Sequence, residues 1–279
     1  MNKLTLKIRA KQLIGFFAPK RRKAEHLINQ HEYRVFSQHR EDGIIDYLLN
    51  SIGQEIGTFV EFGFAPDQCN CLNLAVNRRH SGLFMDGNPA HCSNAIVAFK
   101  QLGLKGIEVR NTFINRDNIN SLIRDANISG EIDVLSVDVD GNDYWLWQTI
   151  DCIEPRIVVI EYNATFGPTK KVSIPYDRDF VRYDAHASGF YHGCSLAAIE
   201  HLGKIKGYRL VGVDETGVDA FLVKNELCAD IPTLTPEQCF KDNRGRVKYK
   251  GIDRKQQFEK IKNMPLVDVS AHSRVTYDR

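Results

Sequence analysis

From Thr58 onward, short apolar runs alternate with segments whose apolar residues recur at helical spacing. Thr58-Phe59-Val60-Glu61-Phe62 is an aromatic and β-branched run halted by Gly63, which predicts a buried strand. A helix-like segment at 70–79 and a second apolar run at 82–85, ending in Asp86, complete a parallel strand–helix–strand unit. Asn88 and Pro89 predict the cap and first turn of the next helix, closed by Gly103. Further along, the pattern predicts strands at 106–109, 132–139 and 156–160. Helices are expected at 118–126, capped by Asp117, and at 144–153, halted by Pro155. Upstream, Ser37 reads as the N-cap of a helix reaching Leu49. Patterning disappears over 164–193, a stretch long enough to predict a lid or binding loop. A helix at 195–206, stopped by Gly207, and a hairpin of 208–213 with 220–223 follow. Together these elements predict an α/β fold. It is a doubly wound, seven-stranded, mostly parallel Rossmann-like sheet of order 3-2-1-4-5-7-6 with one antiparallel edge strand.

Composition and charge add boundaries to this outline. The net charge of +2 is unevenly spread: residues 1–23 carry eight Lys or Arg and no acid, and residues 241–262 carry nine basic against three acidic residues. The stretch 24–240 holds 18 basic and 30 acidic residues, so an acidic core lies between basic ends. This divides the chain into a basic helical extension (1–36), a catalytic domain (37–228) and a basic appendage (229–279). Leu6, Ala10, Leu13 and Phe17 recur at helical spacing beside Lys3, Lys7 and Lys11, the pattern of an amphipathic helix on a membrane surface or a partner. The sequence contains no apolar run of membrane-spanning length and no signal-peptide pattern, and its seven cysteines are an odd number at irregular spacing. The expectation is a cytoplasmic protein with reduced thiols, peripheral at the inner face of the membrane. A zinc site of Cys69, Cys71, His91 and Cys92 matches no common module spacing. The basic clusters lack interleaved aromatics, which argues against nucleic acid.

In an open parallel sheet, ligands bind beyond the carboxyl ends of the strands, so Glu61, Gly63 and Asp86 are candidate ligand residues. The turn after Gly63 has no second glycine before Gly82, and acidic Asp67 opposes phosphate. A ribose without phosphate fits better, with Asp86 accepting from its two hydroxyls, as in S-adenosylmethionine. Ser136, Asp138 and Asp140 alternate onto one side of the fourth strand, and Glu161 and Asn163 onto one side of the fifth. Asp138, Asp140, Glu161 and Asn163 are therefore expected to converge on Mg²⁺ or Ca²⁺, lowering the pKa of an acceptor hydroxyl. Asp140 and Asp143, with His186 and His192 from the lid, are the candidate general bases. The bland alternatives are that Asp143 caps a helix, that Glu161 pairs with an arginine and that the histidines are ordinary loop residues.

These stretches also resemble a family. Ser37-Gln38 with Glu41-Asp42-Gly43-Ile44, Phe59 to Gly63, Gly82 to Gly87, Leu135 to Tyr144, Val159 to Asn163, Tyr191 to Leu196 and Gly207 to Val211 are similar to FkbM-like S-adenosylmethionine-dependent methyltransferases. The resemblance implies O-methylation of a sugar or glycan, including lipid-linked glycans approached through the basic termini. It implies cofactor contacts from Gln38, Glu61, Phe62, Gly63, Asn70, Asp86, Gly87, Asn88 and Asp138. Two rivals stand beside it: a nicotinamide-dependent sugar oxidoreductase, and an inactive module that binds anionic membrane or polysaccharide.

Overall fold

The structure is a computed structural model describing residues 1–15, 23–53 and 56–271; Phe17 of the expected N-terminal stripe lies outside them. In chain order the elements are helices α1 (Lys3–Gly15), α2 (Leu27–Gln30) and α3 (Glu41–Ile52), then strands β1 (Thr58–Phe62) and β2 (Ser81–Asp86). They continue with α4 (Pro89–Leu102), β3 (Ile107–Asn111), α5 (Ile119–Arg124), β4 (Gly130–Val137), α6 (Asp143–Thr149) and β5 (Ile153–Glu161). The remainder comprises β6 (Val172–Ser173), α7 (Arg182–Ala185), α8 (Leu196–Lys206), β7 (Tyr208–Val213), β8 (Asp219–Lys224), α9 (Pro236–Cys239), α10 (Arg254–Ile261) and β9 (Val267–Asp268).

Seven strands form one sheet in the order β3-β2-β1-β4-β5-β8-β7. The short strand β6 pairs with β9, outside that sheet, so the sheet strands counted alone run 3-2-1-4-5-7-6 as the sequence predicts. β1 lies parallel to β2 and β4, β2 parallel to β3, and β7 antiparallel to β8. The chain divides into two compact units, Met1–Val139 with Thr149–Val159, and Asp140–Gln148 with Ile160–Arg279.

Within the first unit the carboxyl ends of β1 and β2 are tied together. Gly63 N–H donates to Met85 O at 2.9 Å, and Phe64 N–H donates to the Asp86 carboxylate at 3.1 Å. Asn88 caps α4 by accepting from Ala90 and His91 N–H, and Gly103 closes it at φ +71°. At the sheet's other end, fully buried Asp133 accepts from Ile56 and Gly57 N–H at 2.9 and 2.6 Å, and meets Arg156 at 3.2 Å and His80 at 3.1 Å. Burial would raise the Asp133 pKa, but His80 and the two backbone donors outweigh it and hold it low.

Several boundaries differ from expectation. α3 begins at Glu41 behind Arg40, whose φ is +82°, later than expected, and Ser37 serves its first turn from a distance: Ser37 Oγ accepts from Asp42 N–H at 3.1 Å and donates to the Asp42 carboxylate at 2.7 Å. The expected helix at 70–79 contains a π-helical turn, Leu74–Arg78. Asn115, not Asp117, accepts from the N–H groups of Asp117 and Asn118 ahead of α5. Pro155 lies inside β5 instead of merely ending α6. The Pro ring has no N–H to donate, but strand conformation is compatible with its fixed φ.

In the second unit, the two ends of 164–193 are packed, while none of residues 175–188 is buried. Phe166, Ile174, Phe190 and Tyr191 form a buried cluster with Ile261 of α10. Tyr191 Oη donates to Pro265 O at 2.7 Å, and Trp145 Nε1–H donates to Ile174 O at 2.8 Å. Residues 229–271 therefore supply part of this unit's core.

Candidate functional site

In the first unit the turn after β1 is built around Glu61. Its buried carboxylate accepts from Asn70 N–H at 2.8 Å and Cys71 N–H at 2.7 Å, while Asn70 Nδ2 donates to Ser136 Oγ at 3.2 Å. Burial raises the Glu61 pKa to about 7 against the pull of those two backbone donors. Glu61 and Asn70 thus brace the turn. Phe62 is fully buried, and its carbonyl accepts from Asp138 N–H at 3.1 Å.

Gly63 has φ +70°, and a Cβ there would lie 1.5 Å from Asp138 O, so only glycine brings the two backbones this close. Asp86 is half-buried; one oxygen accepts from Phe64 N–H and the other from Asn88 N–H at 2.6 Å. A carboxylate offers about four acceptor positions, so two remain for a ligand's hydroxyls. Gly87 and Asn88 are exposed beside it, and Phe113, 49% exposed, has its ring 3.5 Å from where a Gly87 Cβ would stand. Gln38 is exposed in a segment whose backbone is fixed by Asp42, which accepts from the N–H groups of Val35, Phe36 and Ser37. These features fit a nucleoside bearing vicinal hydroxyls: an acceptor carboxylate, a turn without a Cβ and an exposed ring.

Asp67 behaves differently from expectation. It pairs with Lys7 and Lys11 of α1, so its charge is compensated, and phosphate exclusion at this turn rests on the missing glycines instead. Cys69, Cys71 and Cys92 are buried free thiols whose pKa values burial pushes up. Among the described residues no cysteine joins a metal-ligating cluster.

In the second unit the chemistry gathers around Glu161. Strand β4 ends at Val137, and Asp140 adopts φ +57°, so the expected alternation of Ser136, Asp138 and Asp140 on one strand face is broken. Asp140 is exposed and ion-paired with Arg182, whose Nε also donates to Gly189 O at 2.9 Å. Asp143, fully buried, accepts from Gly141 N–H at 3.0 Å at the start of α6. His186 contacts Ser188 Oγ at 2.8 Å in a local turn.

Asn163 is fully engaged by the protein. Its Nδ2 donates to Phe190 O and His192 O at 2.7 and 2.8 Å, and its Oδ1 accepts from Thr165 N–H and Arg246 Nη1 at 3.1 and 2.9 Å. Asn163 is therefore withdrawn as a metal ligand and serves as a brace between segments. The sequence offered no signal for this, because an amide after a strand suits either role.

Arg246 is the residue that sequence reasoning missed. It is 6% exposed, and its guanidinium also reaches Thr165 Oγ1 at 3.0 Å and His192 Nε2 at 2.6 Å. A guanidinium only donates, so Nε2 must accept and the histidine proton sits on Nδ1. Nδ1 faces Glu161 Oε2 at 3.4 Å, a long contact between two buried atoms. Burial lowers the His192 pKa, with Arg182 and Arg246 adding to it, which keeps the ring neutral. Burial would raise the Glu161 pKa, but the facing His192 N–H and the Arg182 and Arg246 guanidinium groups hold it well below the ordinary carboxylate range. Arg246 itself falls to about 10 through burial and the nearby Arg182, and so stays charged at neutral pH.

Asp140, Glu161 and His192 bring three donor atoms within 4.8 Å of one another. With Nδ1 protonated, Asp140 paired with Arg182 and Asn163 occupied, this set does not fit the divalent cation expected from the sequence. What it does present is a buried N–H donor beside a buried carboxylate acceptor, the pair a single hydroxyl group can satisfy.

No family model and no curated protein matches this sequence. Among solved structures, similarity extends to the bifunctional kinase-methyltransferase WbdD, at 16% identity over 65% of this chain, TM-score 0.41. The chain spans 37% of that protein's length. It is also similar to the N-terminal domain of EvdMO1 crystallised with S-adenosylhomocysteine and D-fucose, at 14% identity, with 80% of this chain and 97% of that one covered, TM-score 0.43. An O-methyltransferase from Bacillus cereus in complex with S-adenosylhomocysteine matches at 11% identity, with 80% of this chain and 92% of that one covered, TM-score 0.44.

Proposed function

We propose that this chain is an S-adenosylmethionine-dependent O-methyltransferase whose acceptor is a hydroxyl of a sugar or glycan. The observation that supports this reading is Glu161 Oε2 facing His192 Nδ1 at 3.4 Å in the second unit. An alcohol accepts from Nδ1–H and donates to the carboxylate, which orients its lone pair and gives its proton a destination. Asp140, Arg182 and the exposed ring of Tyr183 supply the carboxylate, guanidinium and aromatic surface that suit a polyhydroxylated ring.

Asp86 would hold the ribose hydroxyls, the Gly63 turn the backbone side of the cofactor, and Phe113 the base. When bound, the cofactor supplies an electrophilic methyl on a sulfonium. Transfer would form the methyl–oxygen bond as the methyl–sulfur bond broke, the electron pair staying on sulfur and the hydroxyl proton passing to Glu161. The hydroxyl proton becomes strongly acidic only as that oxygen acquires its third bond, so a carboxylate held low can still take it. Arg246 positions His192 and lies outside the reacting set.

The test is methyl transfer to a panel of monosaccharides and deoxy analogues. Glu161→Gln is expected to lower kcat by about 10²–10⁴ with S-adenosylhomocysteine affinity unchanged. Full turnover in Glu161→Gln would end the assignment of the base.

A further inference from the structure

Helix α1 turns one side to the fold and, among the described residues, leaves an apolar row exposed on the other. Thr5 and Ile8 are fully buried in the first unit. On that side Thr5 Oγ1 donates to Gln101 Oε1 at 2.8 Å, Gln12 Nε2 donates to Asn77 Oδ1 at 3.1 Å, and Lys7 and Lys11 close on Asp67. The helix is therefore fastened to the protein by its inner face.

The row expected from the sequence to seek cover points the other way. Leu6, Ala10 and Leu13, at i, i+4 and i+7, are exposed, with Leu6 at 52% and Leu13 at 66%. Lys3 and Arg9 are exposed on either flank of that row, and the first 23 residues contain no acid at all. An outward apolar stripe rimmed by cations, on a helix already fixed in place, matches an interface that is negative at its surface and apolar beneath.

We propose that the outer face of α1 seats this protein on an anionic phospholipid membrane. Leu6 and Leu13 enter the acyl boundary, and Lys3 and Arg9 lie among the headgroups. A purely ionic partner, such as an acidic polysaccharide or a nucleic acid, gives no reason for the leucine row. A neutral apolar partner gives none for the unbroken positive charge. The seat is independent of the catalytic reading, since it uses neither Asp86 nor Glu161.

Co-sedimentation of the full chain with vesicles of phosphatidylcholine alone, and with added phosphatidylglycerol, tests it. Wild type is expected to partition onto the anionic vesicles and to be released by salt. Lys3→Glu/Arg9→Glu should weaken binding by about thirtyfold or more, since each surface cation contributes about fivefold. Leu6→Glu/Leu13→Glu should release the protein from anionic vesicles with an unchanged melting temperature, because both positions are exposed. The proposal is overturned if wild type ignores both vesicle types or if Leu6→Glu/Leu13→Glu binds like wild type. It is equally overturned if that variant instead converts a solution dimer to a monomer, which would make the face a contact between copies.

Discussion

Replacing Arg246 by Met keeps most of the side-chain volume while deleting the guanidinium, and so isolates what that group does. In the folded protein it leaves Asn163 Oδ1, Thr165 Oγ1 and His192 Nε2 short of donors they now have at 2.9, 3.0 and 2.6 Å. It also removes one of the two guanidinium groups that offset the buried Glu161 charge. Breaking a buried charged network by taking out one partner costs about 3–5 kcal/mol, and that is the expected loss at pH 7. The pH dependence carries the sign. Glu161 has a folded pKa below its unfolded value, so its stabilising contribution is present above the unfolded pKa and is lost as pH falls through the folded one. In the variant, burial is less opposed and the folded pKa rises, so ionised Glu161 becomes a liability at neutral pH. The unfolded carboxyl titrates alike in both proteins and cancels, so the gap should hold above the variant's raised folded pKa and narrow only as pH falls through that value toward the wild-type one. Urea unfolding followed by circular dichroism from pH 4 to 7 measures this gap. A loss under about 1 kcal/mol at pH 7 would refute the coupling of Arg246 to Glu161.

Gly63→Ala places a Cβ 1.5 Å from Asp138 O at φ +70°. Backbone strain and overpacking together should cost about 2–5 kcal/mol, seen as a lowered melting temperature with weakened nucleoside binding. Asp133→Asn leaves Arg156 and His80 without their buried anion, and should destabilise by about 3–5 kcal/mol in chemical denaturation. Because the Asp133 pKa is depressed on folding, the wild-type advantage should persist above the ordinary aspartate range and fade only as pH falls below it. Millimolar EDTA should leave methyl transfer unchanged; loss restored by Mg²⁺ would reinstate a cation near Asp140 and Glu161.

Much of the frame was legible because local rules and tertiary packing agree there. β1 matches its expected bounds, and α4 and α8 sit between the caps read from Asn88, Gly103, Ser195 and Gly207. Failures occur where a long-range partner overrides a local signal. The helix after Ser37 starts only at Glu41, because Asp42 gathers the N–H groups of Val35, Phe36 and Ser37, while Ser37 Oγ still accepts from Asp42 N–H. The expected strand to Val139 stops at Val137, because the chain turns through a left-handed Asp140 to enter α6. At the site, Glu161 and His192 were readable as chemical candidates, but their relation was not. It depends on Arg246, which lies 54 residues beyond His192 in a basic stretch that resembles a solvated tail. The expected metal ligand Asn163 was misread for the same reason, since its partners come from Phe190, His192 and Arg246.

The most direct measurement is calorimetry of the full chain with S-adenosylhomocysteine, with NAD as the comparison and Asp86→Ala as the control. Asp86 at the end of β2 should hold the nucleoside, so wild type should bind it one to one, ignore NAD, and lose at least about tenfold in affinity in Asp86→Ala, the 1.4 kcal/mol or more that a hydrogen bond to a charged group contributes. Wild-type protein that gives no heat with S-adenosylhomocysteine, or that prefers NAD, would contradict the methyltransferase assignment.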